Sequence, residues 1–168
     1  MEKEIIIKPT FDIKSSFKAT LQVLLGSKLI LLIILILMVI FNNIFVNFNN
    51  IEISLIETIT SILVIPLFLS FFIFSIFRKT KKSILENPRL KENIIYIINN
   101  KSFQEKGDSF DLKYFWENIK KIVEEKDFFL IYVAKNNAIV IKKTDLKDNQ
   151  YIELKELFNS LNIKKKLI

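Results

Sequence analysis

Few residues in this chain could do chemistry, and their types narrow what that chemistry is. There is no His and no Cys, which removes the commonest acid–base catalyst, the thiol nucleophile, disulfides and most metal-ligand sets. Ser15, Ser16 and Lys18 could be paired as a Ser–Lys nucleophile, but no strained nucleophile turn accompanies them and they read as solvated polar residues. Glu124, Glu125 and Asp127 offer oxygen ligands for a hard cation. Without the spaced ligand set such a cation needs, they read as a charged hairpin turn. The only glycines are Gly26 and Gly107, so no glycine-rich phosphate loop exists. The expectation is a protein that is not an enzyme, with no cofactor and no metal.

Basic residues carry more information than acidic ones. Arg78, Lys79, Lys81 and Lys82 follow directly on an apolar run, where each cation near an anionic membrane surface is worth about 1 kcal/mol. These four are the candidates for lipid headgroup contact. Lys142 and Lys143, with Lys164 to Lys166, extend the basic character. Trp116, Lys142 and Lys143 are the candidates for a partner surface, Trp116 alternatively being a core anchor. Nucleic acid is not expected, because the aromatics lie in apolar runs and are not interleaved with Lys and Arg on a polar face.

The elements that must position these residues follow from hydropathy. The chain has 168 residues, 51% of them hydrophobic, and a net charge of +7; this excludes disorder and suits about one domain. No residue from Leu29 to Ile51 is charged, and none from Thr58 to Phe77. Roughly 20 helical residues cross a bilayer core, so two transmembrane helices are expected, at about 26–46 and 58–77. The first run starts too far from Met1 and is too long to be a signal peptide. Pro66 is expected to kink the second helix. Asn42, Asn43, Thr60, Ser61, Ser70 and Ser75 are mild polar residues suited to helix–helix hydrogen bonds; with no ionisable group inside either run, a proton relay is not expected.

Charge asymmetry orients the hairpin. Lys3, Lys8, Lys14, Lys18 and Lys28 precede it, and Arg78, Lys79, Lys81 and Lys82 follow it, whereas residues 42–57 carry only Glu52 and Glu57. Cationic flanks stay cytoplasmic, so both termini are expected in the cytoplasm. The organisation is then 1–23, an N-terminal strand with an amphipathic lead-in; 24–77, the transmembrane hairpin; and 78–168, a cytoplasmic domain.

That domain reads as short strands separated by polar turns: Ile94–Ile98, Ser102–Lys106, Ser109–Tyr114, Lys120–Glu125, Phe128–Ala134 and Ala138–Lys142. Trp116 starts one helical turn, although Phe115, Ile119, Ile122 and Val123 also fit a longer helix. Leu154, Leu157, Phe158 and Leu161 recur at helical spacing, behind Asp148 or Asn149 as cap and ahead of the trailing Lys164–Lys166. Glu4–Lys8 is a further strand that could join the C-terminal sheet. Seven strands and a closing helix suit a pleckstrin-homology (PH)-like β-roll; the fold class is a membrane α+β protein.

The order of parts, the segment Trp116–Tyr132, the segment Ala138–Lys143 and the terminal helix together resemble the YcxB-like bacterial membrane proteins. This chain reads Ile141-Lys142-Lys143-Thr144 where members often have Ile-Pro-Lys-Arg. The resemblance implies two membrane helices with a PH-like cytoplasmic domain in the bacterial inner membrane, and no particular reaction. The expected function is non-enzymatic: binding of a protein partner or anionic lipid by the cytoplasmic domain. The alternative is an immunity protein that protects its producer from a membrane-acting toxin, the toxin then being the partner. Oligomeric state is unreadable, since no GxxxG motif is present.

Overall fold

A computed structural model of the chain describes residues 4–26, 28–46 and 51–168. Strand β1 (Ile5–Ile7) leads into three helices, α1 (Ile13–Leu25), α2 (Lys28–Val46) and α3 (Ile51–Glu86). Then come β2 (Ile95–Ile98), β3 (Ser102–Lys106), β4 (Asp111–Phe115), β5 (Lys121–Glu124), β6 (Phe128–Ala134) and β7 (Asn137–Lys142). Helix α4 (Gln150–Ser160) and the short strand β8 (Lys165–Lys166) close the chain. The fold is α+β, with four helices and two four-stranded sheets among the described residues.

The first sheet has the order β1-β2-β3-β4 and the second β7-β6-β5-β8. Strand β1 pairs antiparallel with β2, placing Ile5 opposite Ile98 and Ile7 opposite Tyr96. The N-terminal segment therefore belongs to the same sheet as the C-terminal part, and all three long helices are inserted between two neighbouring strands. One core lies between the sheets and under α4, built on Ile7, Ile98, Phe103, Phe129, Leu154 and Phe158 among others. The β3–β4 hairpin depends on Gly107: a Cβ there would lie 2.5 Å from the Phe110 ring and 2.7 Å from the Glu92 carboxylate. Trp116 begins one short 3-10 turn, Trp116–Asn118, and the longer helix over Phe115–Val123 does not form, because Lys121–Glu124 pair with β6 instead.

Strand β6 explains its own unbroken apolar run. Phe129 and Ile131 face the main core, while Phe128, Leu130 and Tyr132 pack on the opposite side with Ala19 of α1. A strand covered on both faces needs apolar residues at every position, and α1 is the second cover. Asp12 caps α1 by accepting a hydrogen bond from the Ser15 N–H at 2.8 Å. Gly26, at φ +41°, ends the helix in a conformation L side chains rarely adopt.

Three expectations change. The second long helix is not confined to 58–77 but runs from Ile51 to Glu86 with Pro66 inside it. The charge boundary at Arg78 is not a helix boundary, because Lys, Arg, Leu and Glu all favour helix; the stop comes at Asn87-Pro88, where Asn87 caps the next turn. Lys164–Lys166 is not merely a trailing end, since Lys165 and Lys166 pair in parallel with Ile122 and Val123. Asn149 precedes α4 without a side-chain cap bond, and Gln150 instead accepts from the Lys147 N–H.

Among the described residues, no helix is long and apolar enough to cross a membrane. Residues 47–50 of the expected external loop and Lys3 of the N-terminal flank lie outside the described residues.

Candidate functional site

The end of α3 brings together the four basic residues singled out from sequence. Arg78, Lys79, Lys81 and Lys82 are all exposed, while Ile76 and Thr80 on the opposite face are buried. That buried face meets α1, where Phe17 and Phe77 pack edge to face at 5.4 Å. Spacing of three and four residues aligns Arg78 and Lys82 with the exposed Phe71 and Phe74 one to two turns earlier. An aromatic stripe thus passes directly into a cationic one. Lys82 also stands 3.7 Å from Glu86, an exposed pair that adds little stability.

The other three sequence candidates are not on an open surface. Trp116 is 5% exposed; its indole N–H donates to the Asn99 carbonyl at 2.8 Å and its ring meets Phe158 edge to face. It is the core anchor, and burial takes it off any partner surface. Lys142 bonds Asp12 at 2.9 Å and lies 3.9 Å from Asp145, tying β7 to the start of α1. Lys143 reaches Glu124 at 2.7 Å and sits over the rings of Phe129 and Tyr151. Both lysines are spent on internal bonds.

Glu124 is the centre of a polar cluster that local sequence did not reveal. Its side chain is 1% exposed and accepts from Lys143, from the Tyr151 hydroxyl at 2.7 Å and from the Ile168 N–H at 2.9 Å. Burial alone would push its carboxyl up, but those hydrogen bonds outweigh burial and hold it below the ordinary range. Lys155, 3.6 Å from Glu124, also donates to the Ile168 carbonyl. Lys165 donates to the Phe158, Asn159 and Leu161 carbonyls and so satisfies the end of α4. The cluster clasps the last strand to the sheet. Asp127 is separately engaged by Lys18 of α1. Glu124 and Asp127 therefore serve different partners, and among the described residues no group of three or more acidic side chains could hold a metal ion.

A groove of about 370 Å³ runs between α1 and the sheets. One wall is Ser16, Thr20, Val23 and Leu24 of α1, the other Ala138 and Val140 of β7, and Tyr96 with Glu105 lie at its inner end. Tyr96 and Glu105 are directly opposite in the β2–β3 register. Glu105 shares the inward side of β3 with Phe103, two residues before it. A carboxylate at an inward strand position is the signal available from sequence, and it becomes visible only once the register is known.

The fold and its surfaces define a small α+β domain that carries a helical insertion between its first two strands. Residues 92–158 match the family model described as YcxB-like protein, so this part of the chain is a YcxB-like domain. The match runs from just before β2 into α4 and contains the Trp116–Tyr132 segment. Comparison with curated proteins and with solved structures gives no match.

Proposed function

We propose that this is a non-enzymatic integral membrane protein, which holds its PH-like, YcxB-like domain against the cytoplasmic face of a bacterial inner membrane to bind anionic lipid or a protein partner. The observation that carries the reading is the apolar belt on α2 and α3, ending at Arg78, Lys79, Lys81 and Lys82. Leu37, Met38, Phe41 and Phe45 of α2 are exposed, as are Leu63, Leu67, Phe68 and Phe71 of α3. Burying each such side chain is worth about 1.5–3 kcal/mol, a cost that water does not refund and lipid does. The wholly apolar stretch from Leu29 to Phe41 lies within α2. The β1–β2 pairing supports the topology, since a hairpin of two spans returns its ends to one side of the bilayer. Two sheets closed by a C-terminal helix support the PH-like reading.

The test uses the purified full chain reconstituted in nanodiscs, added to vesicles with and without anionic lipid. Replacing Arg78, Lys79, Lys81 and Lys82 together by Gln is expected to weaken anionic-vesicle binding at physiological salt by about 3 kcal/mol or more. Equal binding by the neutralised protein would remove the lipid-headgroup role.

A further inference from the structure

The inner end of the groove beside α1 is chemically unlike the rest of the domain. Tyr96 is 3% exposed, and its hydroxyl makes no hydrogen bond with protein among the described residues. Its cross-strand neighbour Glu105 accepts no hydrogen bond and joins no ion pair there, although Arg89 acts on it at longer range. Burial pushes the Glu105 carboxyl up, and burial followed by Glu105 and Asp145 pushes the Tyr96 hydroxyl far above its ordinary range. The one cation lining the groove, Lys142, is already held by Asp12 and Asp145. What remains among the described residues is a phenol oxygen and a carboxylate without hydrogen-bond partners, in a groove that Val23 and Leu24 also line.

We propose that this groove binds an amphiphile with a primary ammonium head, the ammonium donating to Glu105 and to the Tyr96 hydroxyl oxygen and the apolar chain lying along Val23 and Leu24. An unpartnered acceptor pair, Tyr96 buried and Glu105 partly buried, selects a cationic donor, because burying a polar group without a partner costs free energy. One carboxylate is too few for a hard metal ion, which takes six or more oxygens. The lining is mixed, with Thr10, Ser15, Ser16 and Thr20 beside Val23, Leu24, Ala138 and Val140, so it suits an amphiphile better than a fully polar ligand, and the volume is in the range of small-molecule sites. Val23 and Leu24 lie just before Gly26, where the chain turns into α2. On the membrane reading the apolar end therefore opens toward the bilayer; the recognition of the ammonium does not rest on that reading.

The experiment is calorimetry on the full chain in phosphatidylcholine nanodiscs, with protein-free discs subtracted, titrating n-hexylammonium and n-hexanol. The choline head carries no N–H donor and leaves the site open to the probe. Saturable binding is expected, with hexylammonium favoured over hexanol by about tenfold. Glu105→Gln is expected to abolish that preference while keeping the unfolding temperature. Tyr96→Phe should weaken hexylammonium by roughly fivefold. Asn136→Trp, an exposed change at the rim of the groove, should weaken both probes without touching the core. No saturable binding, or an undiminished preference in folded Glu105→Gln, overturns the proposal. Discs in which phosphatidylethanolamine replaces part of the lipid distinguish the source. A fall in hexylammonium affinity there identifies a lipid amine, and an unchanged affinity a soluble one; both presuppose the site. Because the probe is soluble, its failure is distinct from a failure of the membrane placement.

Discussion

The sheets and the inserted helices are built from similar residues and use them in opposite ways. Phe103, Phe129 and Phe158 are fully buried in one core, whereas Phe68 and Phe71 of α3 stand exposed. In the second sheet the buried Glu124 finds partners in Lys143 and Tyr151. On α3 the apolar stripe has no such cover among the described residues and gives way to cations at Arg78. The difference teaches that the same residue type supports a buried core in one region and, on the reading proposed here, a lipid-facing surface in the other.

The largest effect is expected where the two regions are tied together. Ile7→Asp places a charge without a partner on a strand whose Ile7 is 1% exposed and opposite Tyr96. It should cost more than about 4 kcal/mol and lose the near-ultraviolet circular dichroism of the domain. Next is a matched pair of truncations. Phe129→Ala should destabilise the domain by about 3–5 kcal/mol in denaturant unfolding. Phe71→Ala should leave it within about 0.5 kcal/mol, because no core contact is removed. Equal losses for the two would dissolve the contrast.

The smallest effect is titratable. The Ser15 N–H, and after it Lys142, hold the Asp12 carboxyl down from 3.8 to about 2. A carboxyl lowered on folding contributes stability above its unfolded value, and that contribution is lost as pH falls through the folded value. Thermal unfolding followed from pH 4 to about pH 2 should therefore show a component that Asp12→Asn removes. It should appear as release of α1 from β7, since Asp12 is the cap of α1 and the partner of Lys142.

Much of the fold was legible from local pattern. Phe128–Ala134 is a strand with the bounds its apolar run implies, and Trp116 starts a single turn. Pairing of β1 with β2 was readable only as a possibility, because it joins residues about ninety apart with three helices between them. Helix α3 overran its expected ends because hydropathy marks where a membrane environment would stop, not where backbone hydrogen bonding stops. Strand β8 left no trace in sequence: two lysines have no apolar alternation, and their pairing is imposed by the Glu124 clasp and Lys165. The basic cluster of α3 was legible as charge. Tyr96 and Glu105 were not, because a facing pair exists only in the register of two strands.

The central proposal is that the residues flanking α2 and α3 share one side of a membrane and residues 47–50 lie on the other. A chain without cysteine allows this to be measured cleanly by single substitutions. Asn49→Cys and Lys135→Cys would be exposed to a membrane-impermeant maleimide in intact cells and in inverted membrane vesicles. The account predicts that Asn49→Cys reacts in intact cells and Lys135→Cys only in inverted vesicles. Reaction of both positions from the same side, or recovery of the protein in the soluble fraction, would contradict it.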